Sequence, residues 1–222
     1  TDGTLALDRV GSRESNLTYN LPSNGATVEF WTATQGLTKM VEYFGRQNRH
    51  CLFDLWNGEP SSSAQYGRLT IYASGSQSGP TQTFKGLYLN AYSGTVGVQE
   101  LQILDGGASV GPYFQGAVTP SPPILPPTHF AFAFSSGSSN GLTVKSYVNG
   151  VLTNTTGSSI ALNEVTGALR GRIGALLTNP SGNSVGTDMA GFGMTHMLSY
   201  DEFRYWKAER TEKEIQQNYW TQ

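Results

Sequence analysis

Asp54-Leu55-Trp56-Asn57-Gly58-Glu59 sets an indole beside two carboxylates and an amide, in a stretch that reads as a loop. A flat apolar ring ringed by planar polar groups is what recognition of a sugar face needs. Strand alternation supplies a second set. Over residues 84–92, Leu87, Leu89 and Ala91 fall on one face, and Phe84, Tyr88, Asn90 and Tyr92 on the other. Tyr72 and Tyr113 could join that tyrosine face.

Hydrolysis of a glycosidic bond would require more. Two carboxylates must stand about 5–5.5 Å apart for retention, or about 6.5–9.5 Å for inversion. On a strand, alternate positions provide such pairs. The nearest candidates here, Asp54 with Glu59, Glu100 with Asp105 and Asp201 with Glu202, lack that spacing. Phosphate and metal motifs are missing as well: the sequence has no His-Glu-x-x-His, Gly-x-x-x-x-Gly-Lys or Cys-x-x-Cys. No catalytic residue is assigned. Cys51 beside His50 would make a thiol–imidazole pair only if strand neighbours faced the same way, and they do not. Cys51 reads instead as a buried thiol, and His129 and His196 as structural. Calcium needs about six to eight hard oxygen ligands. Asp105 and Asp188, each in a glycine-flanked loop, are the weak candidates, so no cofactor is required and Ca²⁺ stays open.

The elements that must position these residues are short strands. Val28 and Phe30 alternate over residues 27–31, Leu69 and Ile71 over 68–72, and Phe130, Phe132 and Phe134 line one face of a strand. The other face of that strand holds only Ala131 and Ala133, leaving room for a neighbouring sheet or a ligand. Asn149-Gly150, between two alternating runs, predicts a two-residue type I′ hairpin. Another strand is expected over 169–177, with Leu169, Ile173 and Leu177 on one side. Residues 61–64 and 74–81 read as loops, and 119–128, with five prolines, as a crossover. Thr211-Glu212-Lys213-Glu214 forms a capping box that opens a short helix, with Ile215 and Tyr219 on one face.

The composition agrees. There are 27 glycines, 14% charged residues and 11% aromatics in 222 residues, which suits tight turns between strands. Net charge is −2 without a basic run, so nucleic acid lacks an electrostatic footprint. No apolar run approaches the roughly 20 residues of a membrane span. The start at Thr1, with no leader pattern, suggests a processed or excised chain. The lone Cys51 rules out an internal disulfide, which fits a virion, a bacterial surface or a cytoplasm better than a stapled ectodomain. Asn16-Leu17-Thr18 and Asn154-Thr155-Thr156 have the form of N-glycosylation triplets.

Four blocks together resemble laminin-G-like, concanavalin A-like domains of the lectin–glucanase superfamily. They are Ala26-Thr27-Val28-Glu29-Phe30-Trp31; Thr128-His129-Phe130-Ala131-Phe132-Ala133-Phe134 with the later Asn149-Gly150 turn; Gly171-Arg172-Ile173-Gly174; and Asp201-Glu202-Phe203-Arg204-Tyr205-Trp206, followed by Arg210-Thr211-Glu212-Lys213-Glu214-Ile215. In the last block Phe203 and Tyr205 should share one face and Glu202 and Arg204 the other. Asp201 should accept N–H groups from a neighbouring loop. The Trp-Lys-x-x-Arg-Thr form of this block is similar to modules of phage and other large structural or surface proteins.

The resemblance implies one domain over 1–222, an all-β, two-sheet antiparallel jelly-roll sandwich with a short C-terminal helix. It implies a non-catalytic recognition module in a virion, extracellular or cell-surface protein, with a glycan, a protein surface or other subunits of an assembly as partner. A purely structural, bridging or decorating role is the alternative, and a glycoside hydrolase a minor one. Neither nucleic acid binding nor membrane insertion is expected.

Overall fold

The computed structural model describes residues 21–32, 49–78, 81–106, 127–165, 169–177, 192–194 and 200–219. Among these residues, eleven strands and one helix run in the order β1 (Ala26–Thr32), β2 (Arg49–Trp56), β3 (Gly67–Ser78), β4 (Thr81–Ser93), β5 (Val96–Asp105), β6 (Thr128–Gly137), β7 (Gly141–Val148), β8 (Val151–Ser158), β9 (Arg170–Ile173), β10 (Phe192–Met194), β11 (Tyr200–Trp206) and α1 (Glu212–Tyr219). The first sheet is antiparallel throughout, in the order β11-β1-β6-β7-β8. The second runs β10-β2-β3-β4-β5. One edge of β2 is shared: β9 pairs antiparallel with Phe53–Trp56, and β10 parallel with Arg49–Cys51. The chain passes between sheets after β1, β5, β8 and β10, which makes a jelly-roll β-sandwich.

Period-two alternation builds the core. Val28 and Phe30 of β1 and Phe130, Phe132 and Phe134 of β6 meet Phe53, Leu55, Leu69, Ile71, Leu87, Leu89 and Ala91 from the other sheet. Each large apolar side chain removed from water contributes roughly 1.5–3 kcal/mol. Phe203 and Tyr205 pack against the same core, while Glu202 and Arg204 pair on the other face at 2.6 Å. The two sheets also meet through polar groups. Ser146 Oγ and Asn154 Nδ2 both donate to the Ile103 carbonyl, at 2.9 and 3.0 Å. Asn154 of one glycosylation triplet is thereby half-buried with its amide engaged, and Asn16 lies outside the described residues.

The room above Ala131 and Ala133 is taken by the helix. Ile215 of α1 packs there with Tyr147, fully buried. Thr211 N–H donates to Glu214 Oε2 at 2.8 Å and Glu214 N–H to Thr211 Oγ1 at 3.4 Å, the reciprocal capping box. Below the helix, Glu29 is 1% exposed, with Arg210 Nε at 3.7 Å and His129 Nε2 at 3.6 Å. Trp31 stacks on Tyr219 at 5.3 Å. The Asn149-Gly150 turn has φ of +50° and +76°, as the hairpin requires, and Asn149 Oδ1 accepts the His129 N–H at 3.0 Å.

Several expectations are corrected. Residues 74–78 and 81 are strand rather than loop: β3 and β4 continue pairing, down to Ser78 opposite Thr81. Phe84 joins the inner core, because the register shift at Ser74/Gly75 opposite Gly86 inverts the alternation. The strand over 169–177 ends at Ile173, where Gly174 turns with φ +74°, and Ile173 is 42% exposed. Asp201 accepts the N–H of its own neighbour Glu202 at 2.9 Å.

Candidate binding face of the six-stranded sheet

Opposite the core, the second sheet presents a grid of polar and aromatic side chains. Register aligns Asp54, Thr70 and Asn90 in one row, Trp56, Arg68 and Tyr92 in the next, and Cys51, Tyr72 and Tyr88 on the other side. The β2 end of this grid is closed. Asp54 is fully buried and accepts four hydrogen bonds: Arg68 Nε at 2.9 Å, Arg68 Nη2 at 2.6 Å, Thr70 Oγ1 at 2.7 Å and Leu177 N–H at 2.8 Å. Arg68 is equally buried; burial works against its charge, but Asp54 holds the proton more firmly than usual. The Arg68 guanidinium lies 5.0 Å from the Trp56 ring. Burial first, and then Asp54, push the Cys51 thiol well up, which keeps it an un-ionised core group.

The segment expected to be a loop therefore begins as strand. Asp54 and Trp56 lie in β2, and Trp56, 6% exposed, donates its indole N–H to the Glu59 carbonyl at 2.8 Å. Asn57 ties the following turn, donating to the Gln65 carbonyl at 2.6 Å and accepting the N–H groups of Glu59 and Gly67, each at 3.2 Å. Glu59 is exposed on that turn. The four residues are together, but as a folding cluster with its ring and amide already engaged.

The β4–β5 end is open. Tyr88 and Tyr92 are half-buried, and Asn90, between them, is 1% exposed. Tyr88 stacks on buried Tyr72 with ring centroids 5.7 Å apart. Tyr92 lies flat across β5: a Cβ on Gly97 would sit 2.1 Å from its Cδ1. Asn90 Oδ1 accepts the Tyr72 hydroxyl at 3.4 Å and the Glu100 N–H at 2.8 Å. Glu100 has φ +53° at a bulge between β4 and β5. An extra residue in one strand re-aims a side chain, and the Glu100 carboxylate forms an ion pair with Arg49 of β2. The Arg49 guanidinium in turn lies 5.9 Å from the Tyr72 ring. Burial, then the Asp105 charge, raise the Tyr88 phenol above its ordinary value.

Nothing local in the sequence pairs Arg49 with Glu100, because 51 residues separate them. A signal does exist. The apolar positions Val96, Val98, Leu101 and Ile103 step by two, three and two, and the odd step marks the bulge. Tyr113 and Asp188 lie outside the described residues, as does His196. Asp105 stands exposed at the end of β5, and no three His, Cys, Asp or Glu side chains converge among the described residues. Asp105 alone does not fit the oxygen cage calcium needs.

No family model and no curated protein matches the chain. Among solved structures it is similar to the native heptameric SAP-like pentraxin from Limulus polyphemus, at 14% identity over 92% of this chain and 76% of that one, with a TM-score of 0.46. It is similar to the receptor binding domain of botulinum neurotoxin D, at 13% identity, 92% and 39% coverage and a TM-score of 0.40. It is also similar to domain 4 of AbnA, a GH43 extracellular arabinanase from Geobacillus stearothermophilus, in complex with arabinotriose, at 14% identity, 90% and 70% coverage and a TM-score of 0.40. This chain spans about two fifths of the neurotoxin domain's length. Function sits on faces and loops grafted onto such sandwiches, so this chain's own residues must carry it. No helix among the described residues is long and apolar enough to cross a membrane.

Proposed function

We propose that this chain is a single, non-catalytic recognition domain that holds a carbohydrate, free or on a surface, across the outer face of β3, β4 and β5. A virion or extracellular structural protein is the setting we assign to it. The observation that supports this most is the half-buried Tyr88 ring, backed by Tyr72, beside the fixed Asn90 amide and the exposed Arg49–Glu100 pair. A ring of this kind offers an apolar platform at little conformational cost, and the planar groups beside it set orientation.

The test is a glycan array probed with the purified domain, in calcium and again in chelator. Binding that disappears in Tyr88→Ala, and persists in Thr153→Ala on the far sheet, is the expected result. A blank array from folded, monodisperse protein would overturn the reading.

One observation favours a second reading, an assembly role. β8 is the last strand of its sheet, carries no charge or proline, and exposes Val151 at 60% and Leu152 at 38%. Natural edges are usually blunted by such residues. Light scattering over a range of protein concentration, with Leu152→Lys as the control, would detect association through this edge.

A further inference from the structure

We infer that the ligand of this face is a neutral sugar, read through two adjacent hydroxyls by Glu100 and Arg49 acting as a pair. The inference rests on the carbohydrate reading above and narrows it to a chemical class.

The pair is built for presentation. Asn90, itself buried, takes the Glu100 N–H and so holds the backbone at the bulge where φ is +53°. A glutamate seldom adopts that conformation, and residues kept there by their surroundings gather at binding sites. The Arg49 guanidinium is steadied over Tyr72. The side chains remain 28% and 58% exposed, for Arg49 and Glu100 respectively. The two charges thus meet solvent beside the Tyr88 ring, and an exposed ion pair of this sort is weak enough to admit a third group.

Charge then selects the class. An anionic sugar stacked on Tyr88 would have to take Arg49 from Glu100 and then lie against that carboxylate. Asp105, which acts on the Tyr88 phenol, adds a second like charge. Exposed Lys85 sits at the β4 bulge next to Gly86, whose partner across the strands is Asp105, so a carboxylate stands at that end too. The remaining arginines of this sheet are no help. Arg68 is buried against Asp54. Arg170 and Arg172 sit on β9, opposite Trp56 and Asp54, three strand spacings or about 14 Å from β4. A neutral diol meets no such obstacle. One hydroxyl donates to the Glu100 carboxylate, its neighbour accepts from Arg49, and the two charges continue to offset each other. Both hydrogen bonds are charge-assisted, and the sugar's apolar face is left for Tyr88.

The test titrates the isotope-labelled domain with neutral disaccharides (lactose, cellobiose, mannobiose) and acidic probes (sialyllactose, digalacturonate), in wild type and in Tyr88→Ala, Glu100→Gln and Glu100→Asn. Asn tolerates positive φ, so the last variant separates loss of the carboxylate from loss of backbone geometry. A neutral probe should perturb the amides of Tyr88, Gly97 and Glu100. Its affinity should fall at least about tenfold in both Glu100 variants, and change less than about twofold between low and high salt. Acidic probes that bind more tightly than neutral ones, weaken with salt and still depend on Tyr88 would overturn the neutral class while sparing the face. Neutral binding unaltered by both Glu100 variants would remove the pair from recognition. Silence from every probe would sink this inference and the carbohydrate reading together.

Discussion

Arg68 grips Asp54 through two hydrogen bonds, at 2.9 and 2.6 Å, where neither side chain has any exposure. A buried pair of this kind offsets a large desolvation cost, so breaking it is far worse than replacing it. Asp54→Ala should destabilise the domain by about 3–5 kcal/mol, because it strands the guanidinium. An Asp54→Leu/Arg68→Met double variant should recover much of that loss. Urea unfolding of the singles and the double makes the comparison, and strictly additive losses would contradict it.

Alkali should act through Tyr72. Its phenol is pushed up to about 12, by burial first, with Arg49 opposing and Tyr88 and Tyr92 adding. An unfolded tyrosine ionises near pH 10. The folded state therefore keeps a proton that the unfolded state releases between those values. The associated stability, on the order of 2 kcal/mol, is complete below about pH 10 and is lost as pH climbs toward 12. Urea midpoints measured across that range should decline, and Tyr72→Phe should flatten the decline.

The C-terminal helix contributes through its anchor and its cap separately. Ile215→Ala leaves a hole over Ala131 and Ala133 and should cost about 2–4 kcal/mol. Thr211→Ala removes the capping hydroxyl and should cost about 1 kcal/mol. Thermal unfolding of each would rank them, and a larger loss at Thr211 would mean that the helix is held by its end rather than its face.

Gly97 is the cheapest handle on the site. A methyl there would strike the Tyr92 ring at 2.1 Å, and the ring's edge faces can yield only by lifting off β5. Gly97→Ala should leave the fold intact and weaken glycan binding several-fold. Near-ultraviolet circular dichroism would register the displaced ring, and binding equal to wild type would exclude Tyr92 from the contact surface.

Most of the sandwich was legible in sequence because its evidence is local. Val28 and Phe30, the three phenylalanines of β6, the Asn149-Gly150 turn and the Thr211–Glu214 box each express one rule over a few residues. What failed was parity. Phe84 changed face because Gly86 sits at a register shift, and the same kind of shift brought Glu100 outward. Trp56 looked like a platform because it precedes Asn57-Gly58, yet its strand partner Arg68 already covers its ring. Glu29 was legible only as part of a block; that His129 and Arg210 flank it required the helix to be in place.

The bulge that lifts Glu100 makes this face editable by length as well as by substitution. Removing Glu100 itself would restore plain pairing, set Gln99 opposite Asn90 in place of the carboxylate and leave every core side chain of β1 to β4 untouched. Chains sharing this sandwich could thus exchange one ligand chemistry for another through a single-codon insertion or deletion, at a strand whose far end is already secured to the opposite sheet by Ser146 and Asn154.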